Sequence, residues 1–437
     1  MKRLTGSIVL LLIMGLPAAG AHAAIGALDA VPGATLLLPY FEVDLSATSG
    51  NGINTLFTIQ NASATAVLTH ITSWSDLGIP TIAFDVYLTG YDAQAVDLRA
   101  MFMDGTLPST ASAGQDIQDA ISPRGSLSQD INYATCTGIL PPATLSAATT
   151  AFLRNAHTGL DAAGSCYGRA FGDNIARGYV TIDIVTQCSS QATFPSTAGY
   201  FQAGGLGIAG DTNVLWGEYR ILGADQRPLI VSQLVSLEAS ATDARVTAPG
   251  QYTFYGYLVA GTAIDNREPL GSTWAAEYVD GRTDLLYWRD NGGNVTPFTC
   301  GSSPAWFPLG GAVELPYERP GAAVFSSQEL LATAAAPGPF PTPISSEASF
   351  ANVAGRIVVG GQDLAVPFKD GWVYTSLNAP IPGVPTYFVD VIDGYPYTQS
   401  YVGVLHDIDG QGSMRIGMSA QQVDVLRVAT PTPTPTP

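Results

Sequence analysis

The segment from Asp407 to Gln411 has the residue types and spacing of a calcium-binding loop. Asp407, Asp409 and Gln411 place side-chain oxygens on alternate residues around Gly410, and Ca²⁺ prefers such oxygen ligands. An EF-hand loop counted from Asp407 would need a glutamate at its twelfth position, where the chain has Met418. The EF-hand is therefore excluded. A looser calcium site stays open, although the strand-like flanks favour a plain hairpin turn at Asp409-Gly410.

Two short motifs match enzyme signatures, but their surroundings do not. Residues 205–210 (GLGIAG) match the dinucleotide pattern G-x-G-x-x-G, which needs a helix after it, and a strand-like segment follows instead. Residues 164–168 (GSCYG) match a nucleophile elbow with Cys166 in place of serine, yet no apolar strand precedes them. We therefore predict no catalytic and no cofactor-binding residue, and favour a protein that is not an enzyme.

Three histidines lie beyond the N-terminal segment: His70, His157 and His406. No two of them have the spacing of metal ligands such as H-x-x-x-H, so structural roles are favoured for all three. His157 falls in the last turn of a predicted helix, where a charged imidazole would interact favourably with the helix dipole.

The chain has four cysteines: Cys136, Cys166, Cys188 and Cys300. An even number in an exported chain predicts two disulfides, for which three connectivities exist. The absence of a C-x-x-C pair argues against a zinc ribbon or a thioredoxin-type site. We favour Cys136–Cys166 and Cys188–Cys300, because the first bridge would staple a segment with little core of its own.

The composition excludes some functions and disfavours a helical fold. The 437 residues include 36 acidic and only 18 basic side chains, so the net charge is −18 and no basic patch is available to bind nucleic acid. Among the charged residues, 27 are Asp against 9 Glu, and 16 are Arg against 2 Lys. Because Glu and Lys favour helices whereas Asp favours turns, the chain should be mainly β.

Residues 1–23 have the three parts of a secretory signal peptide. Lys2 and Arg3 precede the apolar run Ile8 to Leu16, and Ala21-His22-Ala23 is a small-residue cleavage site. Cleavage would remove two positive charges and change the net charge from −18 to −20. We therefore predict a secreted protein, periplasmic, extracellular or on the cell surface, with no membrane span after cleavage.

Short apolar runs separated by turn residues predict one or two antiparallel β-sandwiches with a small helical, disulfide-pinned insertion. The first run, residues 34–45, contains Pro39 and suits an edge or entry strand. Asp-Gly dipeptides predict hairpin turns at residues 280–281, 370–371 and 409–410. We expect a β-sandwich domain over 24–260, a second β-rich region over 261–428 that packs on the first or stands apart, and a Pro/Thr tail over 429–437.

The insertion is expected near residues 104–170 and contains one predicted helix, from Thr144 to Thr158. Apolar residues recur there with helical spacing on one face. Thr144 or Ser146 can cap its start, and Gly159 can end it.

Five segments of the chain are distinctive: GATLLLPYFEVDL (33–45), FDVYLTGYD (84–92), ARGYVTIDIVTQC (176–188), NVLWGEY (213–219) and PFTCG (297–301). They resemble segments of an uncharacterised family of secreted bacterial proteins. The resemblance implies a bacterial, exported protein; it implies no activity or ligand, and no functional residue is transferred.

Taken together, these features predict an exported, non-catalytic surface or extracellular protein with a structural, adhesive or binding role. Its partner would be another extracellular protein, a glycan or a second copy of the chain. Two alternatives remain open: a secreted hydrolase that cleaves polysaccharide with paired carboxylates, and a calcium-dependent carbohydrate-binding module.

Overall fold

The structure is a computed structural model, and the fold is mainly β, as the composition predicts. The predicted signal peptide and the predicted Pro/Thr tail lie outside the described residues. The described residues are 31–46, 51–109, 134–140, 142–201, 207–240, 242, 253–259, 265–271, 273–279, 283–300, 321–326, 352–361, 364, 366, 368–377, 399–407, 415–419 and 421–422.

The described residues form seventeen strands and one α-helix, with three short helical turns at Ala100–Asp104, Ala134–Cys136 and Gly256–Leu258. The strands are β1 (Thr35–Asp44), β2 (Asn54–Asn61), β3 (Val67–Ser75), β4 (Pro80–Leu88), β5 (Ala93–Asp97), β6 (Ile175–Val185), β7 (Leu215–Leu222), β8 (Pro228–Gln233), β9 (Val235–Leu237), β10 (Thr273–Val279), β11 (Thr283–Arg289), β12 (Gly321–Ser326), β13 (Ala354–Val358), β14 (Asp370–Ser376), β15 (Ser400–Asp407), β16 (Arg415–Ser419) and β17 (Gln421–Gln422).

A five-stranded antiparallel sheet in the order β4-β3-β6-β1-β9 forms one layer of the core. Strands β1, β3, β4 and β6 are buried on both faces along almost their whole length, which explains their long apolar runs. Strand β1 pairs with β9 only over Thr35–Leu37, so around Pro39 it forms the edge of the sheet, as the proline predicts. The register of β1 against β6 shifts between Leu38 and Phe41, and this irregularity accommodates the proline.

An eight-stranded sheet in the order β13-β11-β15-β16-β8-β7-β2-β5 forms the second layer. Strands from both predicted β regions lie in it, because β8 pairs with β16 in parallel. Strands β1 and β6 of the first layer pack against β2, β7, β11 and β13 of the second, so the two sheets share one apolar core, as in a β-sandwich.

One of the three predicted hairpins has paired arms. Strands β15 and β16 pair antiparallel, from Gly403 opposite Ser419 to Asp407 opposite Arg415. The prediction near residues 280–281 is wrong, because β10 belongs to a four-stranded sheet (β12-β14-β10-β17) and β11 to the eight-stranded sheet. At residues 370–371, Asp370 and Gly371 begin strand β14, whose partners are β10 and β12, so they do not form a turn between paired arms.

The predicted helix is present as α1 (Ala147–Thr158). The side chain of Ser146 accepts a hydrogen bond from the backbone N–H of Thr149, and Gly159 ends the helix with a left-handed φ of 68°. Of the two predicted caps, Ser146 is therefore the one used. Leu153 and Ala156 are fully buried, and the helix packs on β6 and β4.

The two disulfides are Cys136–Cys188 and Cys166–Cys300. The expected pairings Cys136–Cys166 and Cys188–Cys300 are both wrong, because the first bridge ties the segment before the helix to the residues after β6. The second bridge ties the segment after the helix to residues 298–300, where Cys166 and Phe298 also exchange backbone hydrogen bonds. Both bridges therefore fasten the insertion to the sheet framework.

Candidate functional site

The predicted calcium ligands cannot be assembled into a site from the described residues. Asp407 ends strand β15, whereas Asp409, Gln411 and the side chain of Asp407 lie outside the described residues. Within the described ranges, no group of three His, Cys, Asp or Glu side chains is placed to hold a metal ion. The calcium site stays a prediction.

The three histidines lie apart from one another; His70 and His157 are buried, and His406 is half-buried. Both ring nitrogens of His70 face acceptors, with Nδ1 2.7 Å from Asp85 Oδ1 and Nε2 2.8 Å from the Thr193 carbonyl oxygen. His406 Nδ1 lies 3.3 Å from the hydroxyl of Thr283.

His157 is in the last turn of α1, as predicted, but it does not carry the charge that a dipole interaction needs. Burial lowers its pKa to about 4, so the ring is neutral at pH 7. Its Nδ1 donates to the carbonyl oxygen of Arg177 on β6, 2.9 Å away, and its Nε2 lies 2.8 Å from the hydroxyl of Thr81 on β4. His157 therefore joins the helix to the sheet.

A buried charge cluster surrounds Asp183, which lies near the C-terminal end of β6. The hydroxyls of Tyr200 and Tyr255 donate to its carboxylate at 2.6 and 3.1 Å. Arg267 Nε lies 3.6 Å from Asp183, and Nη1 of the same guanidinium donates to Asp265 at 3.2 Å. None of the charged side chains is exposed, and burial raises the pKa of Asp265. The two carboxylates therefore share one arginine.

A second charge cluster joins the two layers. Arg356 on β13 donates to Asp284 on β11 at 2.6 Å, and its Nη1 lies 3.6 Å from Glu42 on β1. The hydroxyl of Tyr40 donates to Glu42 at 2.8 Å. In both clusters an arginine lies between the two acids, so neither pair faces an open cleft as the carboxylates of a glycosidase do. Their role is to fix the core.

The two enzyme-like motifs are structural where the structure describes them. Cys166 is in a disulfide and is unavailable as a nucleophile. Residues 207–210 lead into strand β7 and not into a helix, and the carbonyl oxygen of Gly210 accepts a hydrogen bond from Arg267 at 3.0 Å. The dinucleotide context is therefore missing.

The accessible candidate site is on the outer face of the eight-stranded sheet. Three rows of side chains cross its edge strands there, in an order set by the strand register. The apolar side chains of Phe57, Tyr219 and Ile221 point the opposite way, into the core. The outer rows are Ala93, Gln60 and Trp216; Ala95, Thr58, Glu218 and Gln233; and Asp97, Leu56, Arg220 and Val231.

A groove of about 290 Å³ follows the middle row, and we call it the outer groove. It exists because Ala95 and Thr58 are small, while longer side chains stand on both sides. Glu218 and Arg220 form an ion pair at 3.1 Å with nearly half of each side chain exposed. The residues that line it are Leu56, Phe57, Thr58, Ala95, Val96, Asp97, Glu218 and Arg220.

The chemistry of the outer groove combines hydrogen-bonding side chains with apolar surface. Asp97 is held in place because Asn54 Nδ2 and the N–H of Ala100 donate to its Oδ1 at 3.0 and 3.2 Å. Arg220 can donate two parallel hydrogen bonds, and Glu218 can accept two. In residues 54–61 and 215–222, buried side chains alternate with partly or fully exposed ones, so the sequence indicates that each strand has an outward polar face. Only the pairing of these distant strands shows that the two polar faces are neighbours.

Comparison with known proteins gives no relative. No protein-family model, curated protein or solved structure matches the chain. Within the described residues, no helix has both the length and the apolar character to cross a bilayer.

Proposed function

We propose that this protein is an exported, non-catalytic binding protein that holds a glycan in the outer groove. The observation that carries the proposal is an open groove of about 290 Å³ lined by Asp97, Glu218 and Arg220 around an apolar floor. This volume is close to the roughly 300 Å³ at which small-ligand pockets begin.

Sugar rings present hydroxyls around their edge and C–H groups on their faces. Carboxylate and guanidinium groups match pairs of neighbouring hydroxyls, while Leu56 and Ala95 can contact the C–H faces. Trp216 lies one row further along the same outer face, where its ring offers an amphipathic platform. The site therefore supplies both kinds of contact that a sugar requires.

Two further features support export. The signal-peptide pattern of residues 1–23 predicts secretion, and two disulfides suit an oxidising compartment. Mass spectrometry of the exported protein tests this point: the expected N-terminus is Ala24, and a retained Met1 would contradict it.

The binding proposal is tested by screening the mature chain on a glycan array and measuring the best ligand by calorimetry. We expect E218A/R220A to bind at least tenfold more weakly. The control is D225A/R227A, which removes another exposed acid–arginine pair, in the turn between β7 and β8. Absence of any bound glycan, or equal losses in both double variants, would contradict the proposal.

The same samples separate the alternatives. Release of reducing ends from a polysaccharide would favour the paired-carboxylate hydrolase. Binding that EDTA abolishes and calcium restores would favour a calcium-dependent module that uses Asp407, Asp409 and Gln411. Binding without product release and without sensitivity to EDTA is the result we expect.

A further inference from the structure

A narrow slot lined with aromatic rings opens between the two layers, away from the outer groove. Trp74 on β3 and Tyr179 on β6 come from the five-stranded sheet, and Trp288 on β11 comes from the eight-stranded sheet. Phe254 and Tyr257, in the segment 253–259, complete the walls. We call this cavity the aromatic slot.

The rings of the aromatic slot hold one another in place. Trp74 and Tyr179 stack in parallel with their centroids 5.5 Å apart, and Phe254 stacks on Trp288 at 5.2 Å. The two stacked pairs contact each other edge to face through Tyr179 and Trp288, whose ring centroids are 6.0 Å apart at an interplanar angle of 71°. Trp74, Tyr179, Phe254 and Trp288 are each at least nine-tenths buried, so the walls are rigid.

Asp290 supplies the charge of the slot. It follows β11 directly, and its Oδ1 accepts a hydrogen bond from the N–H of Gly292 at 2.9 Å. Burial raises its pKa to about 7, and burial together with the negative charge of Asp290 raises the pKa of Tyr257. Among the described residues that line the slot there is no lysine or arginine to neutralise the carboxylate.

From this arrangement we infer that the aromatic slot binds an ammonium-type cation, either free ammonium or the end of a primary amine. The faces of aromatic rings attract cations within about 6 Å, and the half-buried carboxylate of Asp290 adds a direct charge partner. The cavity measures about 30 Å³, whereas about 10–15 Å³ is enough for a single water molecule. A –NH₃⁺ group fits this space, and a tetramethylammonium ion does not.

The binding should strengthen as pH rises. A primary ammonium stays protonated at pH 8, since amines of this kind have a pKa of about 10. Asp290, in contrast, passes from mostly neutral at pH 6 to mostly ionised at pH 8. The affinity for the cation should therefore rise about tenfold over this range.

The test uses the intrinsic fluorescence of Trp74 and Trp288 in the mature protein, titrated with methylammonium chloride. We expect a saturable change that sodium chloride and tetramethylammonium chloride at equal ionic strength do not produce. Trp216→Phe, which removes a tryptophan from the other site, should leave this change intact, and Asp290→Asn should weaken it at least tenfold.

Three outcomes would overturn the inference: no saturable response to methylammonium, the same response to sodium, or equal affinities for methylammonium at pH 6 and pH 8. The pH comparison needs only the unmutated chain, so it decides the matter even if Asp290→Asn does not fold. Because the groove and the slot are separate, a failure of the glycan proposal leaves this inference standing, and the reverse also holds.

Discussion

His70 and Asp85 form an ion pair inside the five-stranded sheet, with Nδ1 2.7 Å from Oδ1 and neither side chain exposed. The carbonyl oxygen of Thr193 accepts from the other ring nitrogen, so both nitrogens carry a proton. Burial acts to lower the pKa of His70, but the hydrogen bond to Asp85 and its negative charge outweigh burial and raise it. The imidazolium therefore holds the segment around Thr193 against β3.

Asp85→Asn should lower the free energy of unfolding by about 3 kcal/mol at pH 6, because it leaves a buried charge without its partner. Because the pKa of His70 is higher in the folded than in the unfolded protein, the ion pair stabilises the fold. This stability is fully present below the pKa of the unfolded state, about 6.5, and is lost as the pH rises through the pKa of the folded state. Urea unfolding should show the gap to the unmutated protein narrowing towards pH 9. Asp225→Asn, in an exposed pair with Arg227, is the control, with an expected change under about 0.5 kcal/mol.

The Asp76→Asn substitution should increase the free energy of unfolding, relative to the unmutated protein, as the pH rises. The carboxyl of Asp76 is buried, its Oδ1 accepts from the N–H of Arg169 at 3.0 Å, and its Oδ2 has no hydrogen-bond partner. Burial raises its pKa to about 7, so the stability it contributes below pH 4 is lost between about pH 4 and pH 7.

Relative to the unmutated protein, the Asp76→Asn variant should gain about 4 kcal/mol of stability between pH 4 and pH 8, since each pKa unit corresponds to about 1.4 kcal/mol. Urea unfolding at the two pH values measures this gain. A difference between the two proteins that stays constant with pH would contradict the raised pKa.

Non-reducing peptide mapping should recover Cys136 linked to Cys188 and Cys166 linked to Cys300. The bridges close loops of 52 and 134 residues, so chain-entropy reasoning gives them about 4 and about 5 kcal/mol. Replacing Cys166 and Cys300 by serine should therefore lower the urea midpoint more than replacing the other pair. A larger effect for the shorter loop would contradict the entropic ordering.

Gly178→Ala should destabilise the five-stranded sheet by about 3 kcal/mol or prevent folding. A Cβ at this position of β6 would lie 1.9 Å from the carbonyl oxygen of Trp74 on the neighbouring strand. Gly223→Ala is the matched control, because the nearest atoms there are side-chain atoms of Asp225 and Leu229 at 3.2 Å. Thermal unfolding compares the two, and equal midpoints would contradict the close approach.

Local signals in the sequence were sufficient for local structure. The helix was predicted to end at Gly159 with Ser146 as one of two possible caps, because capping depends on a few neighbouring residues. Strands β1, β2, β3 and β6 were also predictable, because alternating and continuous apolar runs are patterns among neighbouring residues.

Features that depend on distant residues could not be predicted. The disulfide pairing was wrong because the fold, and not the spacing, brings Cys136 to Cys188. Asp183 is one polar residue in a strand, and nothing near it in the chain indicates that Arg267 will neutralise it. The outer groove likewise requires β2 to pair with β7, more than 150 residues later in the sequence.

The parallel pairing of β8 with β16 has a consequence for how the protein is made. Residues 230 and 415 are partners in that pair, so the ribosome must add 185 residues after one before the other exists. At about 5–20 residues per second this takes about 10 to 40 s. During that interval the early strands of the sheet have no neighbour on one side. The nascent chain therefore cannot complete this sheet until its last strands have been synthesised.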